Sequence, residues 1–302
     1  MRSFLCFRST LYAEIMPHYL YVGIFVAMEN YNCKTKYPVF LIHGMGFRDG
    51  KIGYWGRIPH MLSKWGADVY FGCQDANGSI ESNCETLKKS LEKALAESSA
   101  EKINIIAHSK GGIEARYLIS TLDMGGYIAS LTTISTPHKG SRTMDKFIKL
   151  PKILLKAGSR VFDFFEGIGG DRNPDTYRCL EQLTTDFMKR FNEENPDNPN
   201  IFYRSFGFKM KNPLSDIFMA VPYITVKLFD GESDGLLNPD EVKWSNFRGV
   251  YTGTGNRGIS HCDEVDMRRR PLSKKVPANE YEISDITEFY GKIVSELREK
   301  GL

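Results

Sequence analysis

Residues 102–112 read Lys-Ile-Asn-Ile-Ile-Ala-His-Ser-Lys-Gly-Gly, and this stretch decides the fold. Its apolar part, residues 103–107, predicts a buried strand, and the apolar spacing of residues 113–122 predicts a helix directly after it. A serine in a sharp turn between a strand and a helix is typical of a hydrolase nucleophile, and small residues must flank it two positions away. Ala107 and Gly111 meet that requirement. The stretch predicts Ser109 as a nucleophile; the alternative is a serine that only caps the helix.

Strand-like and helix-like segments alternate on both sides of this turn. Short apolar runs predict strands at residues 38–42, 67–71, 128–135 and 201–206, and we expect a further strand at 223–229. Apolar residues at helical spacing predict helices at 58–65, 80–95 and 283–297. This alternation is typical of a doubly wound, mostly parallel α/β sheet with helices on both faces.

Residues 141–200 interrupt the alternation with charged, helical segments that are broken by prolines and glycine turns. We expect a helical cap, inserted into a single domain of residues 37–302, rather than a second domain. Residues 1–36 then form an N-terminal extension. The apolar run at 19–28 is too short to span a bilayer, which needs about 20 residues. Because no clear cleavage site follows it, a secretion signal is the weaker alternative.

The composition is that of an ordinary globular protein. Of the 302 residues, 41% are hydrophobic and 25% are charged, and the formal net charge is +3. So small a charge, spread along the chain, argues against nucleic-acid binding. The six cysteines form no Cys-x-x-Cys pair, which predicts neither a zinc site nor a disulfide scaffold. We expect a reduced, cytoplasmic protein, with secretion as the alternative; the pattern leaves the oligomeric state open.

A serine nucleophile needs a histidine base that is oriented by a carboxylate, in the chain order serine, acid, histidine. Only His138 and His261 follow Ser109. Little room for an acid precedes His138, so elimination favours His261 as the base. Asp230, Glu232 and Asp234 share one loop between the two, and their position alone does not separate them as the acid.

Glycines after the first predicted strand indicate a second part of the same machinery. Residues 43–46 read His-Gly-Met-Gly. Such a loop lets backbone amides point at a developing oxyanion, together with the amide that follows the nucleophile. We expect Met45 and Lys110 to donate through their backbone N–H groups. The alternative is a plain glycine turn.

Five segments together resemble the bacterial triacylglycerol lipases of the Pseudomonas/Burkholderia type, and more closely the shorter lipase-like hydrolases of Firmicutes. They are Tyr-Pro-Val-Phe-Leu-Ile-His-Gly-Met-Gly at 37–46, Ile-Ala-His-Ser-Lys-Gly-Gly at 106–112, Leu-Thr-Thr-Ile-Ser-Thr-Pro-His-Lys-Gly-Ser at 131–141, Ser-Asp-Gly-Leu-Leu at 233–237 and Ile-Ser-His-Cys-Asp-Glu-Val at 259–265. The resemblance implies the α/β-hydrolase fold and ester substrates with long acyl chains. Its Asp-Gly-Leu signature implies that Asp234 is the acid.

The resemblance also implies a structural calcium ion that braces the histidine loop. The family's aspartate two residues after the histidine corresponds to Asp263, and Asp216 is an approximate match for a second ligand. Two carboxylates with carbonyl oxygens suit calcium. The alternative is that Asp263 only caps its own loop. The disulfide of some relatives and the zinc cluster of thermophilic ones have no counterpart in the sequence, and the chemistry requires no organic cofactor.

These observations predict a lipase that hydrolyses acylglycerols; the alternatives are a short-chain carboxylesterase or phospholipase, or a non-catalytic binding protein. The cap pattern further predicts an amphipathic lid that opens at a lipid surface, with Pro151 at the start of its second helix. Its apolar side comprises Phe147, Leu150, Leu154, Val161, Phe164, Phe165 and Ile168, and its basic side Lys146, Lys149, Lys152, Lys156 and Arg160. The alternative is a fixed lid that only roofs the acyl pocket.

Overall fold

A parallel sheet of seven strands organises the part of the chain that the computed structural model describes, residues 31–49 and 53–302. The strands are β1 Val39–Ile42, β2 Val69–Phe71, β3 Ile103–His108, β4 Ile128–Ile134, β5 Phe202–Phe208, β6 Phe247–Gly253 and β7 Glu282–Ile283. Their order across the sheet is β2-β1-β3-β4-β5-β6-β7. Every neighbouring pair is parallel, which confirms the predicted doubly wound α/β fold.

The strand order changes direction between β1 and β3. The chain runs from β1 outward to β2, returns to the other side of β1 as β3, and then continues in one direction to β7. Because β1 and β3 pair in parallel, with Ile42 beside Ala107, the loops that follow them meet at the same edge. Ligands of open α/β sheets bind at such a switch point, outside the carboxyl ends of the strands. The site should therefore lie beside Ser109 and the glycine loop at 43–46.

Helices pack on both faces of the sheet. They are α1 Ile58–Lys64, α2 Ile80–Ser98, α3 Lys110–Ser120, α4 Arg142–Phe147, α5 Lys152–Gly169, α6 Thr176–Glu181, α7 Thr185–Glu194, α8 Ala220–Asp230, α9 Pro239–Val242 and α10 Ile286–Glu299. One core lies between the sheet and α1 and α10, and includes Trp55, Leu62 and Tyr290. A second core on the opposite face includes Leu87 and Leu118. All seven residues of β4 are buried, as expected for a strand covered on both sides.

Residues 141–200 contain helices α4 to α7 between β4 and β5, and α5 begins one residue after Pro151. That these helices form a cap inserted into a single domain stays a prediction. Residues 223–229 belong to helix α8, so the strand predicted there is wrong. Pro222 suits the first turn of a helix but not the interior of a sheet. Tyr223 and Val226, three residues apart, are the buried positions, which is helical and not strand spacing.

Some predictions fall on parts of the chain outside this description. Residues 1–30 lie outside it, so the N-terminal extension stays a prediction. On the predicted lid, the side chains of Leu154, Val161, Phe164, Phe165 and Ile168 also lie outside it. Phe147 and Leu150 are exposed, as are the lysines of the basic side. Within residues 31–49 and 53–302, no helix combines the length and the apolarity needed to cross a membrane.

Glu241 connects the loop before α9 to the start of the cap. Its two carboxylate oxygens accept hydrogen bonds from the Arg142 amide at 2.8 Å and the Asn238 amide at 3.0 Å. The Lys139 amide donates to the Glu241 carbonyl at 3.1 Å. Burial raises the pKa of the Glu241 carboxyl to about 7, although both amides oppose the shift.

We expect wild-type stability to fall as the pH rises from about 4.5 to about 7, because Glu241 holds its proton more tightly in the native state than in the unfolded chain. Glu241→Gln cannot ionise and should flatten this part of the curve of unfolding free energy against pH, measured with urea. Glu280→Gln, at an exposed position, is the control. Equal slopes for the wild type and Glu241→Gln would contradict the assignment.

Candidate active site

Ser109 lies in the strained turn that the sequence predicts. Its backbone angles are φ 54° and ψ −131°, and helix α3 begins at the next residue. A non-glycine residue with this backbone costs about 1–3 kcal/mol and persists only where the surroundings enforce it. The Ser109 amide donates to the Ile134 carbonyl at 2.9 Å. A Cβ on Gly111 would lie 2.4 Å from the His43 carbonyl oxygen, so only glycine fits there.

The glycine loop after β1 packs directly against this turn. A Cβ on Gly44 would lie 2.7 Å from the Ser109 Cβ and 2.6 Å from the Tyr54 hydroxyl. Gly46 has a φ of +92°, which L side chains rarely adopt. The loop that carries Met45 thus lies next to Ser109, and Lys110 is the residue directly after Ser109. Oxyanion binding by these two amides stays a prediction.

The Lys110 side chain points away from this chemistry. It is buried, its Nζ donates to the Gly78 carbonyl at 2.8 Å, and it forms an ion pair with Glu114. Burial alone would lower the pKa of Lys110, but Cys179 and Glu114 raise it above its usual value. The lysine therefore stays charged and fixes the first turn of α3.

His261 and Asp234 form a direct hydrogen bond. The His261 Nδ1 lies 2.8 Å from the Asp234 Oδ2, and the other carboxylate oxygen accepts from the amides of Leu236 and Leu237, both at 2.8 Å. Burial alone would raise the pKa of Asp234, but His261 and these amides lower it below its usual value. Asp234 is therefore an ionised carboxylate that accepts a hydrogen bond from the Nδ1–H group, which leaves Nε2 as the unprotonated nitrogen of a neutral imidazole.

The two other acids of this loop have other partners. Asp230 accepts from the Thr143 hydroxyl at 2.6 Å and pairs with Arg142 at 3.1 Å. Glu232 is exposed and pairs with Lys209 at 2.8 Å. Loop position did not separate the three acids, whereas the hydrogen bond to the imidazole distinguishes Asp234.

His138, the other histidine after Ser109, lies in a different environment. It stacks on Trp244 with ring centroids 4.4 Å apart, and one ring nitrogen lies 2.9 Å from the Thr133 hydroxyl. Burial, reinforced by the charge of Arg116, lowers the pKa of His138 well below its usual value. It is a neutral core histidine, in agreement with its elimination as the base.

Sequence reasoning missed a hydrogen-bonded chain behind the predicted triad. The Tyr54 hydroxyl lies 2.6 Å from His108 Nδ1, and His108 Nε2 lies 2.9 Å from a Glu264 carboxyl oxygen. The same oxygen is 3.9 Å from His261 Nδ1. Burial, with the charge of Asp234, raises the pKa of Glu264 well above its usual value, and burial lowers that of His108. Glu264 three residues after the base, and His108 beside the nucleophile, were the signals available in the sequence.

The two aspartates predicted as calcium ligands approach each other through Ser260. The Ser260 hydroxyl donates to Asp216 at 2.6 Å, and the Ser260 amide donates to Asp263 at 3.1 Å. Asp263 also pairs with Arg257 through one oxygen and with Arg268 at 3.1 Å through the other. In this arrangement the carboxylate set does not fit a calcium ion, because a guanidinium group lies against each oxygen of Asp263 and balances its charge. The calcium ion that the family resemblance implies is untested, and chelation of the metal tests it.

Comparison with known proteins places this geometry in a class. Residues 38–248 match the family model described as palmitoyl protein thioesterase. The chain is 31% identical over 263 residues to triacylglycerol lipase 2 of Saccharomyces cerevisiae, covering 83% of this chain and 75% of the relative. It is 32% identical to the triacylglycerol lipases of Vibrio cholerae and Burkholderia plantarii, covering 63% and 57% of this chain and 62% and 51% of those proteins.

Solved structures agree on the fold. The mature lipase BlEst2 of Bacillus licheniformis superposes with a TM-score of 0.57 at 18% identity, covering 80% of this chain and 90% of that one. The metagenomic carboxyl esterase MGS0156 gives a TM-score of 0.65 at 13% identity, covering 88% and 76%. The molecule is thus a serine ester hydrolase with the α/β-hydrolase fold. The chain belongs to the family that the palmitoyl protein thioesterase model describes, among relatives named triacylglycerol lipase.

Because Arg257 and Arg268 neutralise Asp263, we expect a saturating chelator to leave the melting temperature unchanged. The measurement is differential scanning fluorimetry with EDTA, followed by excess calcium. Arg257→Ala combined with Arg268→Ala removes the internal cations and should lower the melting temperature. A ligand that binds only the native state stabilises it by mass action. A chelator-induced drop in the wild type that calcium reverses would support the ion instead.

Proposed function

We propose that the protein hydrolyses carboxylic ester bonds of acylglycerols through a Ser109–His261–Asp234 triad and an acyl-enzyme intermediate. The observation that supports this most directly is the 2.8 Å bond between His261 and Asp234. His261 also lies near the strained turn, because its ring centroid is 4.4 Å from that of His108, the residue before Ser109. An ionised acid, an oriented imidazole and a serine in a nucleophile turn form the set of groups that acyl transfer needs.

The reaction follows from these positions. His261 Nε2 takes the Ser109 proton as the hydroxyl oxygen attacks the ester carbonyl, and Asp234 stabilises the imidazolium that results. The amides of Met45 and Lys110 stabilise the oxyanion. When the intermediate collapses, His261 returns the proton to the alcohol, which leaves, and Ser109 keeps the acyl group. Water then attacks that ester by the same steps and releases the fatty acid.

Acylglycerols are proposed because several relatives are named triacylglycerol lipase. One observation favours a second candidate, since the matching family model is described as a thioesterase of palmitoylated proteins. A thioester presents the same carbonyl group to Ser109, and its leaving group is a thiol instead of an alcohol. Both candidates use the same triad and differ in the leaving group.

A chain-length series of acylglycerols and a palmitoyl thioester tests the substrate class. We expect release of fatty acid from long-chain acylglycerols to exceed release from acetyl and butyryl esters. Ser109→Ala should leave only the oxyanion contribution, about 10³–10⁴ over water. A wild type that prefers short soluble esters would indicate a carboxylesterase, and a preference for the thioester would indicate the second candidate. Activity in Ser109→Ala above a few per cent would reject the triad.

Asp234→Asn should lower kcat by about 10⁴, because the amide favours the wrong histidine tautomer. Asp230→Asn is the matched control: its carboxylate contacts Thr143 and Arg142 on the cap, and we expect only a small loss. Both variants are compared by kcat on one soluble ester, with circular dichroism to confirm folding. Equal losses, or a loss confined to Asp230→Asn, would contradict the assignment of Asp234.

A further inference from the structure

The segment that leads to the acid loop exposes an unusual amount of apolar surface. Within residues 214–229, five large apolar side chains are more than 70% exposed: Leu214 86%, Ile217 80%, Phe218 87%, Val221 73% and Leu228 77%. Ile224 and Phe229 in the same segment are also exposed. Single exposed apolar residues are normal, but a contiguous group of this size marks a surface that contacts another apolar phase.

Helix α8 explains why this surface is continuous. Its buried side contacts the protein through Tyr223 and Val226. Its outward positions Val221, Ile224 and Leu228 follow each other at intervals of three and four residues. A helix at the surface of a globular protein normally has a polar outer side, whereas a helix that is apolar all round is covered.

The cap extends the same surface. Helix α4 packs against α8 through the Thr143–Asp230 hydrogen bond, and the Lys146 ammonium lies 3.8 Å from the Phe229 ring centroid. Beyond this contact, Phe147, Leu150 and Ile153 are exposed as well. We call residues 214–229, with these three residues, the docking face. Since Gly235 packs against Met219, the docking face adjoins the loop of Asp234.

The charges around the docking face are mainly positive. Exposed basic residues at its edge are Arg142, Lys146, Lys149, Lys152 and Lys227. The acidic groups nearby all have partners: Asp216 is buried and accepts from Ser260, Asp230 pairs with Arg142, and the exposed Glu232 pairs with Lys209. An apolar side bordered by lysines suits the boundary between the headgroups and the acyl chains of an anionic lipid layer. Two copies of the chain would instead bring their basic edges together.

We propose that the docking face binds the surface of a lipid layer that contains anionic headgroups, with α8 lying in the interface. The proposal rests on the proposed function, since it places the carboxyl edge of the sheet against the phase that holds acylglycerols. Binding involves α8 as it is folded and needs no opening of the cap. Apolar contact supplies most of the affinity, and the lysines add an electrostatic part that depends on the lipid and on salt.

Vesicle binding by the full-length Ser109→Ala protein tests docking without hydrolysis. The probes are vesicles of phosphatidylcholine alone and of phosphatidylcholine with phosphatidylglycerol, and the readout is cosedimentation. We expect binding to the mixed vesicles that weakens several-fold without phosphatidylglycerol. Adding Ile217→Ser and Phe218→Ser should weaken binding about tenfold or more, because two apolar side chains that binding would bury in the lipid are lost. Lys146→Ala with Lys149→Ala should remove most of the phosphatidylglycerol dependence.

Tyr127→Ser is the matched control, because Tyr127 is an exposed aromatic residue at the amino end of β4, on the opposite edge of the sheet. It should bind vesicles like its parent, and melting curves should show that all variants fold. Unchanged binding in the Ile217→Ser and Phe218→Ser protein, or no binding by the parent, would overturn the proposal. So would dimerisation of the parent that this double variant abolishes, if vesicle binding is absent. These outcomes are independent of ester hydrolysis, whose failure would instead reject the proposed function.

Discussion

The close approach of two backbones beside Ser109 is the constraint on which the site depends. A Cβ on Gly44, Gly111 or Gly112 would lie within 2.1–2.7 Å of atoms of Ser109, His43 or Thr136, so these three positions can hold only hydrogen. That closeness allows the loop after β1 to lie next to the nucleophile turn. The strained backbone of Ser109 is held by β3 and β4, whose residues are buried on both sides. The hydrophobic core thereby supplies the free energy that the turn costs.

The site also depends on having only one negatively charged carboxylate beside the His261 imidazole. Two carboxyl groups reach His261: Asp234 at 2.8 Å and Glu264 at 3.9 Å. If both were ionised, together they would favour the protonated imidazole, which could not act as the base that we propose for Ser109. Their surroundings shift the pKa values of the two carboxyl groups in opposite directions. Two amides and His261 lower the pKa of Asp234, whereas burial and the charge of Asp234 raise that of Glu264. Glu264 therefore holds its proton to a higher pH than an exposed glutamate does, and it bonds to His108, and through it to Tyr54.

The sequence predicted those features that short stretches of residues determine, and it did not predict those that depend on contacts made in the folded chain. The nucleophile turn, the buried strands and the sheet type follow from short patterns, because the spacing of apolar residues fixes each element. The acid could not be chosen from its loop, since Asp230, Glu232 and Asp234 differ only in what they contact across the fold. Asp263 matched the family position for calcium, yet Arg257, six residues before it, and Arg268, five residues after it, each pair with its carboxylate, and the family motif does not show these contacts. Residues 223–229 misled because an apolar, β-branched run is compatible with a strand until Pro222 and the spacing of the buried positions are considered.

Helix α8 contributes both to the packing beside the candidate active site and to the exposed apolar surface. Its buried residues Tyr223 and Val226 hold it on the protein, and its C-terminal residue Asp230 anchors the cap through Thr143. The outward residues gain nothing for the folded monomer in water, because their apolar area stays exposed. A helix optimised only for stability would have polar residues there. The apolar outer side therefore suits contact with a phase other than water, and because Met219 packs against Gly235, that contact would lie beside the loop of Asp234.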